Sequence, residues 1–176
     1  GLDQPERLAL LSRAIERLPE HGSVDRWRLG RAALLIRGGS SVRRALDDAR
    51  EAMQSVNAGV RDDATMLAGA ALAALVAELE PEARGSTAAQ TLREALDFAM
   101  RHPEATELEA DTLRLRLAEV LLERARDEDV REAIDLLRPL DSNRAWLMTA
   151  RAHDTLGDRD AAVGAYGVLA ERLSAD

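Results

Sequence analysis

One six-residue pattern returns along the chain: a charged residue, alanine, an aliphatic residue, an acidic residue, any residue, and an apolar one. The copies are RAIERL at 13–18, RALDDA at 44–49, EALDFA at 94–99 and EAIDLL at 132–137, with a looser AAVGAY at 161–166. A short unit that recurs every few tens of residues predicts an array, because one such unit cannot bury its apolar face alone. The shared alanines are Ala14, Ala45, Ala95, Ala133 and Ala162. Their spacing varies, so the connectors differ in length. A methyl group there lets a helix lie close against its partner, where a γ-branched side chain would hold the two axes apart. The simplest division is a lone helix, which carries Ala14, followed by four helix pairs, each of the other alanines marking a second helix.

Chain breakers agree with that division. Pro19, Gly22, Gly38-Gly39, Gly59, Pro81, Gly85, Pro103, Pro139 and Gly157 fall between stretches of helical apolar spacing. The predicted helical blocks are 4–18, 23–37, 41–56, 61–80, 87–101, 105–126, 129–138, 143–156 and 159–173. Start signals stand beside them: Ser23, Ser40, Asp141 or Ser142, and Asp158 as caps, and Thr87 with Gln90 and Thr106 with Glu109 as capping boxes. No block alternates with period two, and aromatic residues make up only 2% of the chain. Ala, Leu, Arg and Glu favour helices over strands, so the expected class is all-α. The apolar run MLAGAALAALVA at 66–77 is too short to span a bilayer and is flanked by Asp62, Asp63 and Glu78. It predicts a helix buried on most sides.

Charge and missing residue types narrow the chemistry. With 46% hydrophobic and 32% charged residues, the 176-residue chain has the composition of a folded soluble protein. The net charge is −8, and all 24 basic residues are Arg. Without Lys there is no Walker A lysine and no Schiff-base lysine. Without Cys there is no disulfide, no thiolate nucleophile and no cysteine-based zinc site. The negative charge and the scarcity of stacking aromatics argue against nucleic acid. No leader peptide or membrane span is evident, and the expectation is a cytoplasmic protein of bacterial origin with an Arg-only, Ala-rich composition. Because the chain starts at Gly1 without Met, it reads as a single helical domain over 1–176 excised from a larger protein.

The stretch AWLMTARAHDTLGDRDAAVGAY at 145–166 resembles a tetratricopeptide repeat (TPR). Trp146, then Ala150, then His153 where tyrosine is usual, occupy the first helix of that 34-residue unit. Gly157-Asp158 makes the turn, followed by Ala162, Tyr166 and Leu169, with Ser174 where proline is usual. Trp27 starts a second, degenerate unit with Ala45 in its second helix, and the pairs around 61–101 and 105–138 lack the aromatics. LAEVLLERARDEDVREAIDLL at 117–137 is similar to the degenerate repeats that accompany CHAT-type peptidases and STAND-type signalling ATPases in actinobacteria. The resemblance implies a TPR-like right-handed α-solenoid of about nine helices. It also implies that Trp146 and Tyr166, like Trp27 and Phe98, fill the space between paired helices.

No catalytic, cofactor-binding or metal-binding set emerges. His21, His102 and His153 are scattered, and His153 reads as a half-buried packing residue. Adjacent carboxylates such as Asp47-Asp48 and Asp62-Asp63 point about 100° apart on a helix and do not converge as a catalytic pair would. They are expected to be solvated or capping residues. The resemblance instead implies an interaction groove lined by the first helix of each pair. Its positions fall on Arg144, Leu147, Arg151, Asp154 and Thr155, and by the same register on Arg28 and on Arg114 or Arg116. Arg suits two-point capture of carboxylates, so the expected partner is a protein or peptide with acidic groups or a C-terminal carboxylate. The competing expectation is that these arginines pair with acidic neighbours on their own helices. At the level of function the chain reads as a non-enzymatic scaffold or interaction module. The alternatives are a regulatory sensor segment of a signalling ATPase or peptidase and, more remotely, a helical-fold enzyme.

Overall fold

Caps and turns delimit the helices. In the computed structural model, which describes residues 3–79 and 85–175, every regular element is helical. The order is α1 (Gln4–Arg17), α2 (Val24–Arg37), α3 (Val42–Ala52), α4 (Ala58–Glu78), α5 (Ser86–Arg101), a 3-10 turn (Pro103–Ala105), α6 (Ala110–Arg124), α7 (Asp127–Leu137), α8 (Asn143–Leu156) and α9 (Arg159–Ala175). Ser142 caps α8 by accepting from the Ala145 N–H at 3.2 Å, and Asp158 caps α9 by accepting from the Ala161 N–H at 3.2 Å. Gly157 ends α8 at φ 74°, a left-handed conformation that glycine adopts without steric penalty.

Other start signals work differently from the expectation. The Thr106 hydroxyl accepts from Leu108 N–H in a local turn, and Glu109 makes no cap bond, so no capping box forms there and α6 begins only at Ala110. The capping box among the described residues lies at α1: Asp3 accepts from Glu6 N–H at 2.9 Å, and Glu6 accepts from Asp3 N–H at 3.0 Å. Gly59 falls inside the first turn of α4, where backbone N–H groups have no helical partner in any case, so it does not interrupt the helix.

The chain divides into two compact units, Gly1–Glu78 with Asp97–Leu108, and Leu79–Leu96 with Glu109–Asp176. In the first, α1 packs on α2, α2 on α3, and α4 on both α2 and α3. Ala32, Leu35 and Ala45 form one buried cluster, with Leu8, Ile36 and Leu67 against it. Ala52, Val60 and Ala64 form another, joined by Leu29 and Met53. Helix α4 buries Ala68, Gly69, Ala71, Leu72 and Val76, while Met66, Ala70 and Ala77 face solvent. Gly69 is the point of closest approach: a Cβ there would lie 1.8 Å from the carbonyl oxygen of Ala105 and 3.2 Å from a ring carbon of Phe98.

Asp48 corrects the reading of the paired aspartates. Asp47 is exposed, whereas Asp48 is buried on α3 and accepts two hydrogen bonds from Arg31 of α2, each 2.7 Å long. Arg31 also donates to Ser12 Oγ of α1 at 3.3 Å, so one guanidinium joins three helices.

In the second unit α6 packs on α7, α7 on α8, α8 on α9, and α6 also on α8. Leu113, Leu117 and Leu121 bury one face of α6, and Val130, Ala133 and Leu137 one face of α7. The Arg93 guanidinium of α5 grips the Glu132 carboxylate of α7 through two bonds of 2.6 Å. Of the repeated alanines, Ala45, Ala95 and Ala133 have no exposed surface and Ala162 almost none, while Ala14 is half-buried.

Candidate interaction groove

Two helix faces of the second unit form the walls of a groove of about 560 Å³. On α8, Arg144, Met148, Arg151 and Thr155 recur at helical spacing along one stripe. On α6, Arg116, Glu119, Val120 and Glu123 do the same, with Leu122 beside them. Leu79 and Leu92 complete the lining, and Leu92, Val120 and Met148 are buried, which makes the base apolar. A volume of this size, with an apolar base and a few charged groups at the rim, falls within the range of ligand pockets.

The walls differ in charge. The α8 wall carries only arginines, whereas the α6 wall carries Arg116 with Glu119 and Glu123. Arg144 donates to Glu119 from one wall to the other. Arg116 and Glu123 each have a partner as well. The Arg151 side chain forms no ion pair among the described residues; its charge acts on the Tyr166 phenol, and its backbone carbonyl accepts from the Thr155 hydroxyl at 2.9 Å.

Of the residues anticipated for a groove, the structure brings together Arg116, Arg144, Arg151 and Thr155. Arg114 turns to Asp111 on its own helix at 2.7 Å. Arg28 belongs to the first unit, where it pairs with Asp25 at 3.2 Å and Glu51 at 2.7 Å. Leu147 is half-buried and lies off the lining. Asp154 accepts the Tyr166 hydroxyl at 3.0 Å. That bond to a carboxylate is the main reason the Tyr166 phenol is held above its usual range. Sequence reasoning missed the base residues Leu79, Leu92, Val120 and Met148, and the acidic rim of Glu119 and Glu123. For Glu119, Val120 and Met148 the legible signal was a spacing of three or four residues from Arg116 or Arg144.

Neither Trp146 nor Tyr166 lines the groove. Trp146 is half-buried, and its indole N–H donates to Asp141 at 3.2 Å. Tyr166 is 39% exposed, on a face of α9 shared with exposed Val163 and Leu173, so it does not fill an interhelical space as expected. Trp27 stacks on His21 with ring centroids 4.8 Å apart, and Phe98 is buried against His102 at 5.0 Å. His153 is half-buried, its Nδ1 3.6 Å from Asp158.

The Asp141 carboxylate is held below the ordinary value of 3.8, first by the Trp146 N–H and then by Arg172, which donates at 2.6 Å. A depressed value means that the tie persists above 3.8 and is lost as pH falls through the lower, folded value. In a Trp27→Phe variant, Trp146 emission is therefore expected to change as pH falls, with a midpoint below 3.8. A midpoint at or above that value would show that the tie does not form in solution.

Among the described residues, no group of three or more His, Cys, Asp or Glu side chains is arranged to hold a metal ion. No helix of the described residues is long and apolar enough to cross a membrane. Comparison of the chain with protein-family models, curated proteins and solved structures finds no match to any of them.

Proposed function

We propose that this chain is a protein-interaction module, a TPR-like right-handed solenoid of helix pairs that holds an acidic partner segment in the α6–α8 groove. Support for the repeat architecture comes from the buried alanines at equivalent places in α3, α5, α7 and α9, and from the packing of successive helices within each unit. Support for the groove as the working surface comes from one observation above the others. Arg151 offers a guanidinium with no carboxylate partner among the described residues, in a groove whose lining includes buried apolar side chains and in a chain whose net charge is −8. A guanidinium without a carboxylate partner can take one from a ligand through two parallel hydrogen bonds, with good geometry and little competition. Packed helices fix the wall residues before binding, which reduces the entropy lost on association. The module works by display and positioning.

The test is selection of short random peptides on the purified chain. Enrichment of peptides with acidic side chains or a free C-terminal carboxylate is expected. The Arg151→Glu variant should bind those peptides at least about tenfold more weakly, equivalent to about 1.4 kcal/mol. Equal binding by the variant, or no enrichment of carboxylates, would overturn the assignment.

A further inference from the structure

The ion pair that crosses the groove carries the interaction reading one step further. Arg144 and Arg151 share a face of α8, seven residues and so about 10 Å apart along the axis. Both cations line the same wall, but they are not equally available: Arg144 is held by Glu119 of the opposite wall, and Arg151 forms no ion pair among the described residues, its charge acting on the Tyr166 phenol. The pair is solvated, with the Arg144 side chain 61% exposed and the Glu119 side chain 40% exposed. Exposed pairs of this kind are weak, so an incoming carboxylate can replace Glu119.

Spacing then selects the conformation of the occupant, an extended segment in polyproline II conformation. It places every third side chain on one face, about 9 Å apart, which matches the spacing of the two arginines. Met148 lies between the two arginines on α8, and buried Leu92 and Val120 also line the groove.

We infer that the groove takes an extended partner segment with two acidic side chains three residues apart. The first binds Arg151, and the second reaches Arg144 by displacing Glu119. Glu119 is thus a tethered competitor that lowers affinity for doubly acidic segments and leaves singly acidic ones unaffected. This inference rests on the interaction reading above and can fail separately from it.

The experiment uses short, C-terminally amidated fluorescent peptides with two glutamates three positions apart, with one glutamate, or with none. Each is titrated by fluorescence anisotropy into the wild-type chain and into Glu119→Gln and Arg151→Glu, with circular dichroism to verify folding. The doubly acidic peptide is expected to bind wild type more tightly than the singly acidic one. Glu119→Gln should strengthen the doubly acidic peptide by about 2- to 5-fold and leave the singly acidic one unchanged. Equal strengthening of both, or of neither, would overturn the inference while loss of binding in Arg151→Glu still upheld the interaction reading. Binding that appears only when the peptide carries a free C-terminal carboxylate would also overturn it. Binding that is indifferent to Arg151 would overturn both.

Discussion

Replacing Gly69 with alanine is expected to destabilise the first unit by about 3 kcal/mol or more, the upper end of what overpacking costs. Helix propensity alone predicts the opposite sign, since alanine in a helix interior is favoured over glycine by about 1 kcal/mol. The packing decides. The added methyl would sit 1.8 Å from the Ala105 carbonyl oxygen, a backbone atom of the 3-10 turn that cannot swing aside as a flexible side chain could. Either α4 or the turn has to move, which would disturb the buried Phe98 ring 3.2 Å away. Urea denaturation followed by Trp27 emission in a Trp146→Phe background reports on this unit alone. The control is Ala70→Gly, one residue further along the helix and exposed, which should lower stability by only about 1 kcal/mol. If Gly69→Ala proves as stable as the parent, the close approach does not exist.

The second large effect is expected at the buried Arg31–Asp48 pair. Asp48→Ala leaves a guanidinium with 8% of its side-chain surface exposed and no carboxylate to neutralise it. Stranding one member of a buried pair costs about 3–5 kcal/mol. Asp48→Asn keeps the shape but loses the charge, and should fall between the two. The pair itself need not be a net source of stability. A joint Arg31→Met, Asp48→Leu replacement is expected to recover most of the loss, because the desolvation of two charges disappears with the charges. Denaturation midpoints of the four proteins decide the matter. A double variant as unstable as Asp48→Ala would show that the bidentate geometry, with its third contact to Ser12, is what holds α1, α2 and α3 together.

These two sites show where sequence reading works and where it stops. The positions of α8 and α9 were legible almost to the residue. Ser142, Gly157 and Asp158 act on their immediate neighbours, and a cap needs nothing from elsewhere in the chain. The buried alanines were legible for a similar reason, since a small residue at a fixed place in a recurring pattern implies close packing whichever helix supplies the partner. Asp48 was not. Its sequence neighbours give it the profile of a solvated acid, and what buries it is an arginine 17 residues earlier. Tyr166 failed for the converse reason: its place in the repeat suggested an interior, but it stays 39% exposed, with its hydroxyl bonded to Asp154 of α8.

The groove divides along the same line. That Arg116, Arg144, Arg151 and Thr155 could share a surface was readable from helical register, because residues three, four and seven apart lie on one face of a helix. Which arginine keeps a free charge was not readable. Arg28 and Arg114 are taken up by acids three residues away on their own helices, Arg144 by Glu119 across the groove, and Arg151 by none of the described acids. Helical class, element boundaries and the repeated small residues follow from interactions over one or two turns, which the order of residues specifies directly. Availability of charge, the Gly69 contact and the burial of Asp48 depend on groups brought together from distant parts of the chain, and these exist only once the helices have packed.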